Sequence, residues 1–363
     1  MKILFIGGTG TISMAISRRL LEQGHELYLI NRGNRNAGLA AQLPGTGEWN
    51  RPKEILVDIN DEEKAAKLLE GLEFDAAADF IAFRKEHLER DYRLLRGKTK
   101  QFVYISSASA YQKPLADYLI TESTPLANPY WQYSRDKIEG EDYLMKLYRE
   151  EGFPVTIVRP SHTFDERSVP LGLHGAGGSW QVLKRMLEGK PVIIHGDGTS
   201  LWTMTHNSDF APGFTGLLGN PHALGQAVQI MSPESMTWNQ IYQVIADALG
   251  VKLNAVHIST EFLVAADGGR YDFNGSLLGD KANTVVFDIS KLKRLVPGFA
   301  PEKSMEQGLR ETVQNVLRRP ELQREDPEFD AWCDRVIAAR HSSERRKFLA
   351  QKLLISTEDL ADA

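Results

Sequence analysis

Cysteine is almost absent: Cys333 is the only one in 363 residues. No intrachain disulfide can form, which excludes a disulfide-stapled secreted scaffold and suits a reducing, cytoplasmic setting. No apolar run approaches the roughly 20 residues that cross a bilayer, so a helical membrane protein is excluded as well. The chain opens directly in a strand pattern, residues 2–6, and the expectation is that no signal peptide belongs to it. Cationic excess is missing too. With 43 basic against 48 acidic side chains the formal charge is −5, and no clustered stripe of Lys and Arg offers the counterion release on which nucleic-acid binding depends. His174, His195 and His206 lack metal-ligand spacing and acidic companions, so no metal site is expected. Internal repeats and low-complexity blocks are also absent.

What is present is an ordinary globular composition, 42% hydrophobic and 25% charged, long enough for about two domains. Short apolar runs at residues 2–6, 26–30, 54–57, 76–81, 101–105 and 155–158 read as strands. Most are separated by helix-length segments such as 62–69 and 85–95. This alternation predicts an α/β fold, a Rossmann-type doubly wound parallel sheet. Beyond Pro160 the pattern loosens. Residues 172–178 and 268–279 read as flexible loops, and 180–187 and 238–249 as amphipathic helices. The expected division is a dinucleotide-binding domain over 1–162, to which segments near 195–230 return, and a smaller loop-rich substrate-binding region over 163–318. A helical C-terminal extension, 319–363, carries Trp332, Val336, Phe348 and Leu349 for packing on the body or a partner, with a frayed tail as the alternative.

Residues 7–13, Gly-Gly-Thr-Gly-Thr-Ile-Ser, stand where the first strand gives way to a helix. There Gly7, Gly8 and Gly10 permit a tight turn and let the backbone approach a pyrophosphate, whose charge the helix N-terminus stabilises. Ser13 is small enough for close helix–strand packing. An NAD site should carry Asp or Glu about 20 residues further on, to accept from the ribose 2′-hydroxyl. Here the second strand ends Ile30-Asn31-Arg32-Gly33, with no acid. Arg32, with Arg35 nearby, can instead pair with a 2′-phosphate, which points to NADP over NAD; the alternative is a solvated loop cation. Asp58, after the third strand, is placed to meet the adenine or to cap a helix. Thr9 and Asn31 complete the candidate contacts of this stretch.

Two later motifs carry the chemistry. The fifth strand delivers Ser106, Ser107 and Ser109 to the carboxyl edge of the sheet, where such folds bind ligands. Tyr133 and Lys137 lie four residues apart at the start of a helix, hence on one face. A phenol of pKa about 10 is a poor base at neutral pH, and a nearby ammonium is expected to lower that value. Tyr133 can then exchange a proton with a substrate oxygen while hydride moves to or from nicotinamide. Lys137 is also placed to hold the nicotinamide ribose, and Ser107 to hydrogen-bond the reacting oxygen.

Together, Gly7-Gly8-Thr9-Gly10, Ile105-Ser106-Ser107 through Tyr111, and Tyr133-x-x-x-Lys137 make the chain resemble the extended short-chain dehydrogenase/reductase superfamily, the NAD-dependent epimerase/dehydratase group, over residues 1–317. The resemblance implies Ser107, Tyr133 and Lys137 as catalytic triad. It implies Gly7, Gly10, Thr11 and Ile12 along the pyrophosphate, Asp58 and Ile59 at the adenine, and Phe80, Ile81 and Ala82 on the nicotinamide side. It also implies a homodimer through long helices, including the one bearing Tyr133. Members acting on sugar nucleotides carry an Arg shortly after the Gly196-Asp197-Gly198 position and another before a later Gly-Asp. Here Trp202 stands at the first place and Leu277-Leu278 precede Gly279-Asp280, so the guanidinium clamp for a diphosphate is missing. Trp202 is read either as a stacking surface for a sugar or as core. His162, where the family commonly has Asn, is read as a substrate contact, a second acid/base, or a structural histidine.

The expected activity is hydride transfer at a secondary alcohol or ketone of a polar, sugar-like small molecule. The alternative is an epimerase or dehydratase that retains NAD. A non-catalytic RNA-binding protein, like the chloroplast stem-loop-binding relatives of the superfamily, is disfavoured by the charge and the intact triad.

Overall fold

The computed structural model describes residues 1–42 and 51–340. Seven strands, β1 (Lys2–Ile6), β2 (Glu26–Asn31), β3 (Lys53–Leu56), β4 (Ala76–Asp79), β5 (Phe102–Ile105), β6 (Val155–Pro160) and β7 (Gln226–Ile230), form one sheet in the order β7-β6-β5-β4-β1-β2-β3. Every pairing is parallel. The doubly wound α/β class expected from the alternation is the one the chain adopts. Both faces are covered: Ile3 and Phe5 of β1 point into one apolar cluster, Leu4 and Ile6 into the other, which is why the strand reads as a continuous apolar run. Strand order reverses between β1 and β4, opening a crevice at the carboxyl ends where ligands of such sheets sit.

The strands differ from expectation for identifiable reasons. β4 stops at Asp79 instead of 81 because the Asp79 carboxylate accepts from the amides of Ile81 and Ala82 at 2.5 and 2.9 Å. That turns the chain out of the ladder and fixes residues 80–82 at the sheet edge. β7 is a strand that the apolar pattern does not reveal. Its Gln229 is fully buried, and its side chain accepts from Tyr111 Oη at 2.8 Å and donates to the carbonyl of Ile120 at 3.1 Å. A satisfied polar residue in the core thus conceals the strand from hydropathy.

Helices α1 (Ser13–Glu22), α2 (Glu62–Leu68), α3 (Lys85–Leu95) and α4 (Gln132–Glu151) flank this sheet. The rotation of α4 matters most for the site. Glu141 on α4 takes the Arg159 guanidinium of β6 through Nε at 2.9 Å and Nη2 at 2.5 Å, and Ser106 Oγ donates to the same carboxylate. This buried, multiply hydrogen-bonded pair turns one face of α4, with Tyr133 and Lys137, toward the end of β5.

The second half is built from short strand pairs, 162–164 with 204–206, 192–195 with 255–258 and 201–202 with 236–237, packed with α5 (Trp180–Leu187) and α6 (Trp238–Leu249). Both helices have the expected bounds. Residues 268–279, expected as a flexible loop, are not one throughout: residues 274–281 wind into a π-helix. Gly275 lets it close on Trp131, since a Cβ there would stand 2.0 Å from the indole Cδ1. Asn128 Nδ2 donates to the Gly279 carbonyl at 2.7 Å, and Asn274 Nδ2 to that of Tyr130 at 2.8 Å. Helix α7 (Pro327–Ala338) buries Trp332 and Val336 against the body, where Arg185 pairs with Asp330 and Asp334, both at 2.7 Å. Phe348 and Leu349 lie outside the described residues. No helix among the described residues is long and apolar enough to cross a membrane.

Candidate active site

Gly7 and Gly8 leave β1 with φ of +98° and +94°, a region L side chains rarely adopt. A Cβ on Gly8 would lie 2.5 Å from Leu29 Cδ2, so the turn crosses β2 at a separation only glycine allows. α1 then begins at Ser13, its N-cap Ile12 supplying no side-chain cap. Uncapped amides at the positive end of a helix attract an anion. Above them lies a groove of about 490 Å³ that contains Gly7, Thr9, Gly10, Asn31, Arg32, Asp58, Ile59, Phe80 and Ile81. Thr11 is reached from the second half of the chain: Asn207 Nδ2 donates to its carbonyl at 3.0 Å and Arg167 Nη2 to its Oγ1 at 3.2 Å. Asn31 is occupied locally, accepting from Gly33 N at 2.7 Å and donating to Asn36 at 2.8 Å. Arg32 is exposed. Asp58 is exposed and accepts from Asn60 N at 3.0 Å. The glycine cradle, the free helix terminus and a groove running to Asp58 at one end and Phe80 at the other fit a nicotinamide dinucleotide.

Lys137 joins this groove to the next cavity. Its buried ammonium donates to the carbonyls of Ala82 and Ile105, each at 2.7 Å, and stands 5.7 Å from the centre of the Tyr133 ring. The expected lowering of the Tyr133 pKa does not appear. Burial pushes the phenol up to about 12, the Asp280 charge adds to that, and hydrogen bonding with Ser107 opposes it. The reason is that desolvation penalises the charged form of both partners. Lys137 is itself pushed down to about 8 by burial, with Asp79 and Glu141 opposing, and its protons are committed to two carbonyls. Ser107 Oγ accepts from Ser109 N at 3.1 Å and pairs with Ser109 Oγ at 2.9 Å, which in turn takes the Ser134 hydroxyl at 2.8 Å. Ser109 is therefore part of a buried hydroxyl chain at the cavity wall.

That cavity, about 270 Å³, brings together Ser107, Ser109, Tyr133, His162 and Trp202, five residues singled out by the sequence. The His162 ring is held in its neutral form. Burial, with the charges of Lys281 and His174, pushes it down to about 3, and its Nδ1 accepts from Trp202 Nε1 at 3.4 Å. A neutral ring that accepts at Nδ1 carries its hydrogen on Nε2, and toward any further partner it can only donate through that nitrogen. Trp202 is both core and wall: it is 2% exposed and stacks on Trp238 at 5.5 Å.

Among the lining residues that sequence reasoning does not single out are Trp131, Asp280 and Lys281. Asp280 and Lys281 ride on the π-helix, just past the 268–279 stretch that reads as loop; the available signal is an Asp-Lys pair directly after Gly279. Burial pushes the Asp280 carboxyl up to about 6, with Lys113 and Lys281 opposing. The Lys281 carbonyl accepts from Trp238 Nε1 at 2.9 Å and meets His195 Nε2 at 3.1 Å, which anchors the segment. Among the described residues no cluster of His, Cys, Asp or Glu could hold a metal ion.

A glycine turn at the switch point of a doubly wound sheet, with Ser, Tyr and Lys converging on the same edge, defines an NAD(P)-dependent enzyme of the extended short-chain dehydrogenase/reductase type. A family model described as the NAD dependent epimerase/dehydratase family matches residues 3–230, and the chain belongs to that family. It is 23% identical over 307 residues to the 2'-dehydrokanamycin reductase of Streptomyces kanamyceticus, covering 82% of this chain and 80% of the relative. It is 27% identical over 255 residues to the chloroplast stem-loop binding protein of 41 kDa b of Arabidopsis thaliana, covering 69% of this chain and 63% of that one. The structure of UDP-glucuronic acid 4-epimerase from Bacillus cereus, in complex with UDP-glucuronic acid and NAD, superposes with a TM-score of 0.66 at 20% identity, covering 88% and 99% of the two chains. At that identity it attests the shared fold.

Proposed function

We propose that this protein is an NADP-preferring oxidoreductase acting at a secondary alcohol or ketone carbon of a sugar-like small molecule. The observation that carries the reading is the meeting of Ser107 and the Tyr133 phenol in one cavity wall, tied through Lys137 to the groove beside Ala82. When bound, the nicotinamide supplies or accepts the hydride. Tyr133, protonated at neutral pH with a pKa of about 12, donates its proton to the substrate oxygen as that oxygen gains charge. Ser107 hydrogen-bonds the same oxygen, and the Lys137 ammonium favours the phenolate left behind. In the same reading Gly7, Thr9, Gly10, Thr11 and Ile12 hold the pyrophosphate, with Arg32 at a 2′-phosphate and Asn31 beside it. Asp58 and Ile59 flank the adenine, Phe80, Ile81 and Ala82 the nicotinamide, and Ser109, His162 and Trp202 the substrate. Residues 163–318, the expected substrate-binding region, bring Trp202, Asp280 and Lys281 to that cavity.

Replacing Tyr133 by Phe is expected to cut hydride transfer by about 10²–10⁴-fold with NADP affinity nearly intact; retained turnover rejects the assignment. A second reading, an epimerase or dehydratase that recycles its cofactor, is favoured by the family model itself. Net consumption of added NADPH separates the two, and the nucleotide released on denaturation is expected to be NADP. Tightly held NAD would support the second reading. A homodimer through α3 and α4 and a cytoplasmic location belong to the same proposal; sedimentation tests the dimer. A salt-sensitive RNA shift at physiological ionic strength would instead favour an RNA-binding role.

A further inference from the structure

We propose that the cavity beside Tyr133 takes a single uncharged polyhydroxylated ring, a sugar or cyclitol free of any nucleoside diphosphate, with the Asp280 carboxylate and Lys281 ammonium as its hydroxyl-recognising pair. This rests on the oxidoreductase reading for the identity of the site and names what that site selects. Size is the first argument. At about 270 Å³ the cavity lies just below the range of roughly 300–1,000 Å³ that holds drug-sized ligands, a scale that suits a single ring. Its walls are the second. Trp131, backed by Gly275, and Trp202, backed by Trp238, give aromatic surface for the C–H faces of a ring. Polar residues complete the lining, Ser107, Ser109, Tyr133, His162, Asp280 and Lys281 among them.

Charge balance decides the substrate class. The charged side chains lining the cavity are Asp280 and Lys281, one of each sign. Buried Lys113, whose ammonium has no hydrogen-bond partner, acts on Asp280 from behind. A diphosphate would need uncommitted cations. The guanidiniums at hand are spoken for, Arg159 by Glu141 and Arg167 by Asp165. A substrate ammonium would compete for Asp280 with two lysines. Uncharged hydroxyls suit the pair, the carboxylate accepting and the ammonium donating to neighbouring oxygens. The pair is also positioned in advance. The Lys281 carbonyl is held by Trp238 and His195, its Nζ donates to the Gly172 carbonyl at 3.2 Å, and Gly279 is held by Asn128, so little ordering is left for binding.

The test is a calorimetric titration of the full chain saturated with NADP⁺. The probes are methyl β-D-glucopyranoside and myo-inositol as uncharged rings, D-glucosamine as cation, and glucose 6-phosphate and UDP-glucose as anions. At least one uncharged ring is expected to saturate, with every charged probe at least about tenfold weaker. Asp280→Asn and Lys281→Met are each expected to weaken ring binding about tenfold while NADP affinity, read by its own titration, stays unchanged. If Asp280→Asn fails to hold NADP, Lys281→Met alone decides. The proposal is overturned if UDP-glucose or glucosamine binds as tightly as the best uncharged ring, if neither uncharged ring binds, or if the folded variants bind rings as the native chain does. Failure of the oxidoreductase reading registers separately, as ring binding without hydride transfer.

Discussion

The dinucleotide groove and the substrate cavity share one edge of one sheet and are built on opposite plans. The groove draws on the first 81 residues, and its central feature is a contiguous turn whose shape comes from backbone: two glycines at positive φ and an uncapped helix start. The cavity is assembled from segments scattered between Ser107 and Phe287, and its character comes from side chains whose acidities burial has moved. Tyr133 is raised to about 12, Asp280 raised to about 6 and His162 lowered to about 3. Backbone geometry can be written in a short motif. Acidity set by desolvation exists only once distant segments have met.

The largest expected effect follows from the phenol. Oxidation of an alcohol requires Tyr133 to have lost its proton, and with a pKa of about 12 only about one molecule in 10⁵ has done so at pH 7. The oxidation rate is expected to climb about tenfold per pH unit from pH 7 to about 8 and less steeply above it, where Lys137, itself at about 8, loses the charge that favours the phenolate. Reduction uses the protonated form and gains nothing from the same change. Initial rates in both directions across that range check this, and a flat oxidation profile would mean that the cavity does not govern the phenol as burial implies.

Next in size is a stability effect confined to the cavity. The folded-state pKa of Asp280, about 6, lies above its ordinary value of 3.8. Between pH 4 and 6 the folded chain therefore holds a proton that the unfolded chain releases, and this group's contribution falls as pH rises. Asp280→Asn removes that dependence. Relative to the native chain, the variant is expected to gain about 2–3 kcal/mol of stability from pH 4 to pH 7, measured by denaturant unfolding at both.

The groove answers to backbone changes instead. Gly8→Ala forces a side chain into φ +94° with its Cβ 2.5 Å from Leu29 Cδ2, and is expected to cost about 2 kcal/mol and to weaken dinucleotide binding without altering ring binding. Gly24 has a positive φ of +76°, but a Cβ added there would meet nothing within 4 Å. Gly24→Ala, carrying only the conformational penalty, should cost about half as much and spare the groove. Equal losses of dinucleotide affinity in the two variants would remove the special role of the Gly8 crossing.

What is legible in the sequence follows the same division. The sheet class, the glycine turn and the Ser107, Tyr133 and Lys137 spacing are readable because each is a local pattern with a fixed period or order. β7 is not, since Gln229 is polar and yet fully buried, its amide satisfied by Tyr111 and the Ile120 carbonyl. Nor is the π-helix, whose winding depends on Gly275 meeting Trp131 from 144 residues away in the chain. The acidities of Tyr133 and His162 escape for one reason: spacing places a charge nearby but says nothing of the water removed around it.

The smallest effect bears on the open end of the groove. Arg32 follows a strand that ends in Asn31, whose side chain is taken up by Gly33 and Asn36, so no acid is present there to repel a 2′-phosphate. Arg32 itself is exposed, and an exposed guanidinium meets phosphate against competing water and salt. Arg32→Ala is accordingly expected to weaken NADP binding by about tenfold, about 1.4 kcal/mol, and to leave NAD binding unchanged. Paired fluorescence titrations with NADPH and NADH check this, and the preference should shrink further at high ionic strength because the contact is screened. An equal loss for both nucleotides would place Arg32 on the shared pyrophosphate or adenosine instead, and discrimination would then have to come from Arg35 or from the backbone of the turn itself.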